Sequence, residues 1–411
     1  MRLLTRRRVL AALGIGGAGL AAARIAVPRA LRPGPVRPIA ALSPAARALV
    51  GTAFAGVDPA RVWDLHAHAV GIGTGGSGCR VSRRFTSHLH PIRRCQYEAY
   101  LAASGIRDPS TADEDYLARL LALHRAANPA GRRVLLAFDL RVAEDGTELP
   151  EDSEFHVPTE YVAAIARQHP DVALAASVHP YRRDCRARLE AARAAGAIAV
   201  KWLPNSMGID PASPLCDAAY DAMAELGLVL LSHAGHERAV HAAGDQELGN
   251  PLRLRRALER GVRVVIAHCA SLGEARDLDA GGTARRPCFD LFLRLMGEKA
   301  HAGRLFGDIS ALPLVNRCGR PLRELLLASD LHPRLADGSD YPLPAIGPLV
   351  STWLLARRGL LDPSDRDSLE EIFAANSLLF DYVLKRRLRV VTAEGERRFA
   401  PIVFETARLF G

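Results

Sequence analysis

The sequence predicts an α/β chain folded as a (β/α)8 TIM barrel with a loop and helical cap inserted after the first strand, and three observations carry that prediction. Short apolar runs rich in β-formers alternate with Ala/Leu/Arg-rich amphipathic stretches along most of the 411 residues. Eight such runs occur, at 62–69, 134–140, 172–178, 197–203, 228–233, 262–268, 305–309 and 334–339. Metal-capable side chains recur at the ends of these runs, where a parallel barrel assembles its site.

Taken in order, residues 1–27 read as a signal segment of the twin-arginine type. Arg6, Arg7 and Arg8 precede an Ala/Gly/Leu stretch too short for a spanning helix, with small residues at 21–23. Residues 28–60 read as a Pro- and Arg-rich linker and N-terminal extension, 61–385 as the barrel and 386–411 as a C-terminal extension. Between the strands, the helical stretches 185–195 and 252–260 stop at Gly196 and Gly261, as C-terminal caps do. The segment 71–130 exceeds an ordinary βα connection and is expected to fold over the barrel mouth.

A formal charge of +9 invites a nucleic-acid reading, but eight arginines and no acid precede residue 41, so the rest of the chain is close to neutral. The expectation is no nucleic-acid partner, no stable membrane insertion once the signal is removed, and a periplasmic or exported location, membrane-anchored if the signal stays. Self-association into a homo-oligomer is left open. Seven scattered cysteines form no Cys-x-x-Cys pair; Cys79 and Cys95 are the nearest in sequence, and buried thiols are expected for most.

The chemistry concentrates at strand ends. His66 and His68 are two apart in Asp64-Leu-His-Ala-His68, and in a strand such positions share a face, so both imidazoles aim at one point. Lys201, His233, His268 and Asp340 follow further apolar runs, making six ligand-type residues on five strand ends. Neutral imidazoles with a carboxylate keep a divalent cation Lewis-acidic and make the water it carries acidic near neutral pH, and a nearby carboxylate can take the proton. Asp64 is expected on the inward face with His66, orienting a ligand imidazole, and Ala197 and Ala199 are expected beneath Lys201.

These motifs, with Val200-Lys201, Ser232-His233-Ala-Gly235, Ala267-His268 and Gly338-Ser-Asp340-Tyr-Pro342, resemble the amidohydrolase superfamily, in its amidohydrolase-2-like branch, over roughly 62–384. The resemblance implies a small-molecule hydrolase cleaving an amide, ester, lactone or related bond on one or two divalent cations. Zinc is the first candidate; manganese and iron also suit the ligand set. It further implies that His66, His68, His233 and Asp340 bind metal and that Asp340 takes the water proton. His268 would hold a second metal or polarise the substrate, and Lys201 would be carboxylated between two metals or remain a plain lysine. A metal-dependent decarboxylase of the same superfamily and a non-catalytic barrel that binds without turnover are the alternatives.

Other signals are weaker. His236-Glu-Arg-Ala-Val-His241 has its histidines five apart and cannot present both on one helical face, and His236 competes with His233 as the ligand on strand five. Gly71-Ile-Gly-Thr-Gly-Gly76 satisfies a dinucleotide pattern without a helix behind it and reads as a flexible loop over the metal. His179 is expected to line the pocket or cap a turn, and Arg83, Arg84, Arg93 and Arg94 to hold an anionic substrate or form a solvated face.

Overall fold

The computed structural model describes residues 31–128, 131–240, 244–281 and 283–410; the signal reading of 1–27 lies outside them. Helix α1 (Pro44–Phe54) is capped by Ser43, whose hydroxyl accepts from the Ala46 N–H, and Pro44 occupies its first turn. It buries Ala46, Leu49, Val50 and Ala53. Strand β1 (Asp64–His68) follows, then the helices α2 (Pro91–Ala103) and α3 (Ala112–Ala127). From there strand and helix alternate as β2 (Arg133–Leu136), α4 (Thr159–Gln168), β3 (Val172–Ala176), α5 (Cys185–Ala194), β4 (Ala197–Trp202), α6 (Asp217–Glu225) and β5 (Val229–His233). The sequence continues through α7 (Arg255–Glu259), β6 (Val264–Ala267), α8 (Cys288–Gly297), β7 (Leu305–Asp308), α9 (Arg320–Leu327), β8 (Leu335–Ala336), α10 (Arg366–Ala375) and α11 (Ser377–Arg387).

The eight strands pair in chain order, and every pair is parallel. Backbone bonds Leu65 N–H to Asp337 O, Asp340 N–H to His66 O and His68 N–H to Tyr341 O join the end of β8 to β1 and close the barrel. All eight sequence-expected strands are present. Their ends are trimmed, with residues such as Asp139 and Ser339 lying beyond the ladder.

Side chains alternate between two apolar layers. Leu65, Val134, Leu136, Ala173, Ala175, Ala199, Val229, Leu231, Val265, Ala267 and Ala336 fill the barrel. Leu135, Leu174, Val200, Leu230 and Ile266 face the helices. Far downstream, Leu409 joins the inner layer. The ring of Phe410 stacks on Trp63 at 5.8 Å, and Arg263 donates to the Leu409 carbonyl at 2.7 Å. The tail thereby floors the end of the barrel opposite the strand C-termini.

Two irregularities reset that alternation. Four residues of β1, from Asp64 to Ala67, oppose three of β2, from Arg133 to Leu135, so β1 carries a bulge. Leu65 lies in the inner layer and Ala67 in the outer, and the extra residue lets His66 and His68 both face the mouth. Asp64 consequently faces the helices, where it pairs with Arg133. This corrects the expectation that Asp64 shares the inward face of His66. A second register shift separates Ala197 from Ala199, so only Ala199 sits in the inner layer beneath Lys201, and Ala197 packs outward.

Candidate metal centre at the barrel mouth

The C-terminal ends of the strands collect all six side chains named from the sequence. His66 and Asp340 meet across the β1–β8 closure, with Nε2 3.5 Å from Oδ1, and His68 Nε2 lies 3.1 Å from the same oxygen. His268 presents Nε2 to Asp340 Oδ2 at 3.9 Å. Ligand atoms of His66, His268 and Asp340 all fall within 4.8 Å of one another. Lys201 Nζ lies 3.2 Å from His66 Nε2. The His233 ring meets that of His268 edge-on, centroids 5.3 Å apart.

Backbone strain marks the same residues. His268 and Asp340 adopt φ of 54° and 59°, and Cys269, Ala270 and Ala311 are left-handed as well. Non-glycine residues hold such angles at a cost of order 1–3 kcal/mol each, and only where their surroundings enforce them. At His268 the positive φ directly follows inward-facing Ala267 and breaks the alternation that would send the next side chain outward. Beside Asp340, the Ser339 N–H donates to Asp64 Oδ1 at 2.8 Å. Lys385 of α11 donates to the Gly338 carbonyl at 2.6 Å and pairs with Asp337 and Asp381. Asp64 thus steadies the strand that carries Asp340 rather than an imidazole.

The imidazole partner is Asp308, at the end of β7, which the sequence reading missed. Its Oδ2 lies 2.9 Å from His66 Nδ1, and its Oδ1 accepts the His268 backbone N–H at 2.9 Å. Ser310 stands against His268 Nδ1, with Oγ at 2.8 Å. Both rings therefore turn Nε2 toward Asp340. A lone Asp after Leu-Phe-Gly offers no spacing cue.

Electrostatics follow from burial. Burial holds the His66, His233 and His268 imidazoles well below the usual histidine range; Lys201 adds to this at His66 and a neighbouring ring at His233. Burial opposes ionisation of Asp340, but the hydrogen bond with His68, helped by the Lys201 charge, outweighs it and leaves this carboxyl at about 2. Burial lowers Lys201 to about 8 against the pull of Asp308, Asp340 and Glu237. Neutral imidazoles beside an ionised carboxylate are the protonation states that ligate a divalent cation. His233 Nε2 is buried with no hydrogen-bond partner, a lone pair or proton awaiting a group in the mouth. The donor set and this orphaned atom fit a divalent cation.

Glu237 and Arg317 complete the rim. Glu237 Oε2 lies 3.5 Å from His233 Nδ1, and its other oxygen accepts the Ala239 and Val240 N–H groups. The sequence had set this glutamate aside with the off-spaced histidine pair. His236 is turned away, its Nε2 3.0 Å from the Glu274 carbonyl, while His241 lies outside the described residues. Helix α2 leans over the mouth, with Gln96 donating to the Ala239 carbonyl at 3.0 Å, and Tyr116 of α3 donates to the His68 carbonyl at 2.6 Å. The glycine loop after β1 is pinned, since Asp113 accepts from the Ile72 and Gly73 N–H groups and from Ser77. His179 caps a turn, taking the Tyr181 N–H on Nδ1 and facing the Met207 carbonyl with Nε2. Burial raises the thiols of Cys79, Cys185, Cys216, Cys269, Cys288 and Cys318, and none of these six is in a disulfide.

No protein-family model matches the chain, and no curated protein matches it. Among solved structures, it is similar to an uncharacterised TIM-barrel protein from Bordetella bronchiseptica, at 16% identity over 78% of this chain and 99% of that one, with a TM-score of 0.47. A putative 2-pyrone-4,6-dicarboxylic acid hydrolase from Pseudomonas putida aligns at 16% identity over 78% and 97%, with a TM-score of 0.41. The 5-carboxyvanillate decarboxylase from Sphingomonas paucimobilis aligns at 11% identity over 77% and 96%, with a TM-score of 0.39. The eight parallel strands closed in chain order make this chain a (β/α)8 barrel.

Proposed function

We propose that this chain is a metal-dependent hydrolase of the amidohydrolase superfamily acting on a small molecule with an amide, ester, lactone or related bond. The carrying observation is the convergence of His66, His268 and Asp340 ligand atoms within 4.8 Å in a buried, strained mouth. His66, His68, His233 and Asp340 would hold a divalent cation, zinc first, with His268 and Lys201 facing a second cation or the substrate. When bound, the cation supplies Lewis acidity to water and to the oxygen of the bond under attack.

The residues divide the remaining work. Asp308 and Ser310 fix the rings of His66 and His268 so that Nε2 faces inward. Asp340 at about 2 stays ionised at neutral pH, so a proton it takes from water is held briefly and passed to the leaving atom. Lys201 Nζ lies 3.2 Å from His66 Nε2, in the field of Asp308 and Asp340, and would face the cation or the substrate from strand four.

Metal content of the purified protein and Asp340→Asn test the reading. The expectation is at least one equivalent of zinc, manganese or iron and hydrolysis that falls about 10²–10⁴-fold in the variant. Asn tolerates the positive φ, so the fold should persist. Protein that binds no divalent ion and gains no activity from added zinc or manganese sinks it. Carbon dioxide release without incorporation of labelled water oxygen would make the enzyme a decarboxylase, and binding unaffected by Asp340→Asn with no turnover would make it a binding barrel.

We further propose export by the twin-arginine route, on the Arg6-Arg7-Arg8 leader. Arg6→Lys with Arg7→Lys should trap precursor in the cytoplasm, and unchanged export contradicts the proposal. Among the described residues, no helix is long and apolar enough to cross a membrane.

A further inference from the structure

Arg317, in the connection after β7, is 7% exposed. Its guanidinium makes one hydrogen bond, from Nη1 to Ser271 Oγ at 3.0 Å, and no ion pair among the described residues. Three other buried cations are paired, Lys385 with Asp337 and Asp381, Arg133 with Asp64 and Arg182 with Asp139 and Glu148, while Lys201 lies against His66 Nε2 inside the site itself. A guanidinium cannot shed its charge, and charges this deep are ordinarily paired.

The neighbouring acids are already engaged. Asp308 is taken by His66, Ser310 and the His268 N–H, Asp340 by His68, and Glu237 by the Ala239 and Val240 N–H groups. Its hydrogen-bond partner Ser271 directly follows the His268–Ala270 turn, and its charge acts on His233 and His268, so the Arg317 guanidinium lies beside the candidate metal centre. A planar fork with free donors matches a carboxylate in two-point contact.

We infer that Arg317 is the anion-binding arm of the site and that the substrate carries a carboxylate seated on this guanidinium. The position of the labile bond, toward Asp340, rests on the hydrolase reading; the anion site itself does not.

Titration calorimetry with benzoate and with its neutral isostere benzamide tests the assignment on metal-loaded protein and again after chelation, with metal content read in parallel. Benzoate should bind at least tenfold more tightly than benzamide. Arg317→Gln should weaken benzoate about ten- to a hundredfold while leaving benzamide binding, the melting temperature and metal content unchanged. Arg317→Lys, which keeps the charge without the fork, should recover part of the loss. Four results overturn the proposal: no millimolar benzoate binding to the wild type, equal benzoate affinity in Arg317→Gln, benzoate binding that vanishes on chelation with Arg317 intact, or inorganic phosphate binding more tightly than benzoate. Protein that binds no metal but still discriminates benzoate through Arg317 would refute the hydrolase reading and keep the anion site.

Discussion

Asp308 Oδ2 stands 2.9 Å from His66 Nδ1, with both side chains fully buried, so the strand-seven carboxylate decides which nitrogen strand one turns to the mouth. Asp308→Asn removes the charge at nearly constant shape. Divalent metal affinity should fall about ten- to a hundredfold with the circular dichroism spectrum unchanged; unaltered affinity would show that His66 needs no such partner.

Gly338 tests how tightly β8 presses on the β1 bulge. A Cβ there would meet His66 Cβ at 2.6 Å and His66 N at 3.0 Å, neither of which can swing aside. Gly338→Ala should lose about 1–3 kcal/mol in denaturant unfolding and lower metal affinity as well, since the residue it displaces is His66. Wild-type stability would mean that the closure yields more than this spacing allows.

Stability should fall with acid for reasons remote from the mouth. Burial lowers His124 to about 4, with Arg133 adding to the effect, and lowers His179 to about 4 against the Met207 carbonyl. Both are neutral in the fold and protonate in the unfolded chain below the ordinary value of 6.5, so the unfolded state binds more protons. Their contribution is complete above that value and is lost as pH falls toward 4, by about 2 kcal/mol per histidine between pH 7.5 and 5. Urea unfolding across that range should show the decline, and His124→Gln with His179→Gln should flatten it.

Lys385 is the single cation between Asp337 and Asp381, buried on α11 against the strand that presents Asp340. Lys385→Met leaves two buried carboxyls without their counter-charge and should cost about 3–5 kcal/mol. Asp381, which burial already lifts to about 7 despite Lys385, should then take up a proton at higher pH still. A melting temperature within a degree of the wild type would contradict this account.

The barrel and six mouth residues were legible because both rest on local pattern: β-rich runs give strands, and a polar residue ending such a run faces the strand C-terminal rim. Register was not. The bulge that turns Asp64 outward and His66 inward is a property of β1 measured against β2, and nothing within Asp64-Leu-His-Ala-His68 announces it. Asp308 follows Leu-Phe-Gly without a companion at telling spacing, Glu237 sat inside an off-spaced histidine pair, and Arg317 looked like one arginine among many. Each acquires meaning only from what another strand brings beside it.

The floor of the barrel orders the events of folding. Leu409 fills the inner layer from a segment synthesised long after β8, and Phe410 rests on Trp63 beside β1, so the start of the first strand is covered by residues made more than seventy positions after the eighth. A chain still emerging from the ribosome can pair its strands and wrap its helices, yet its interior stays open to water at one end until that tail docks. Completion of the barrel is thereby tied to completion of synthesis through residue 410, and tail variants should slow maturation before they alter the chemistry at the opposite rim.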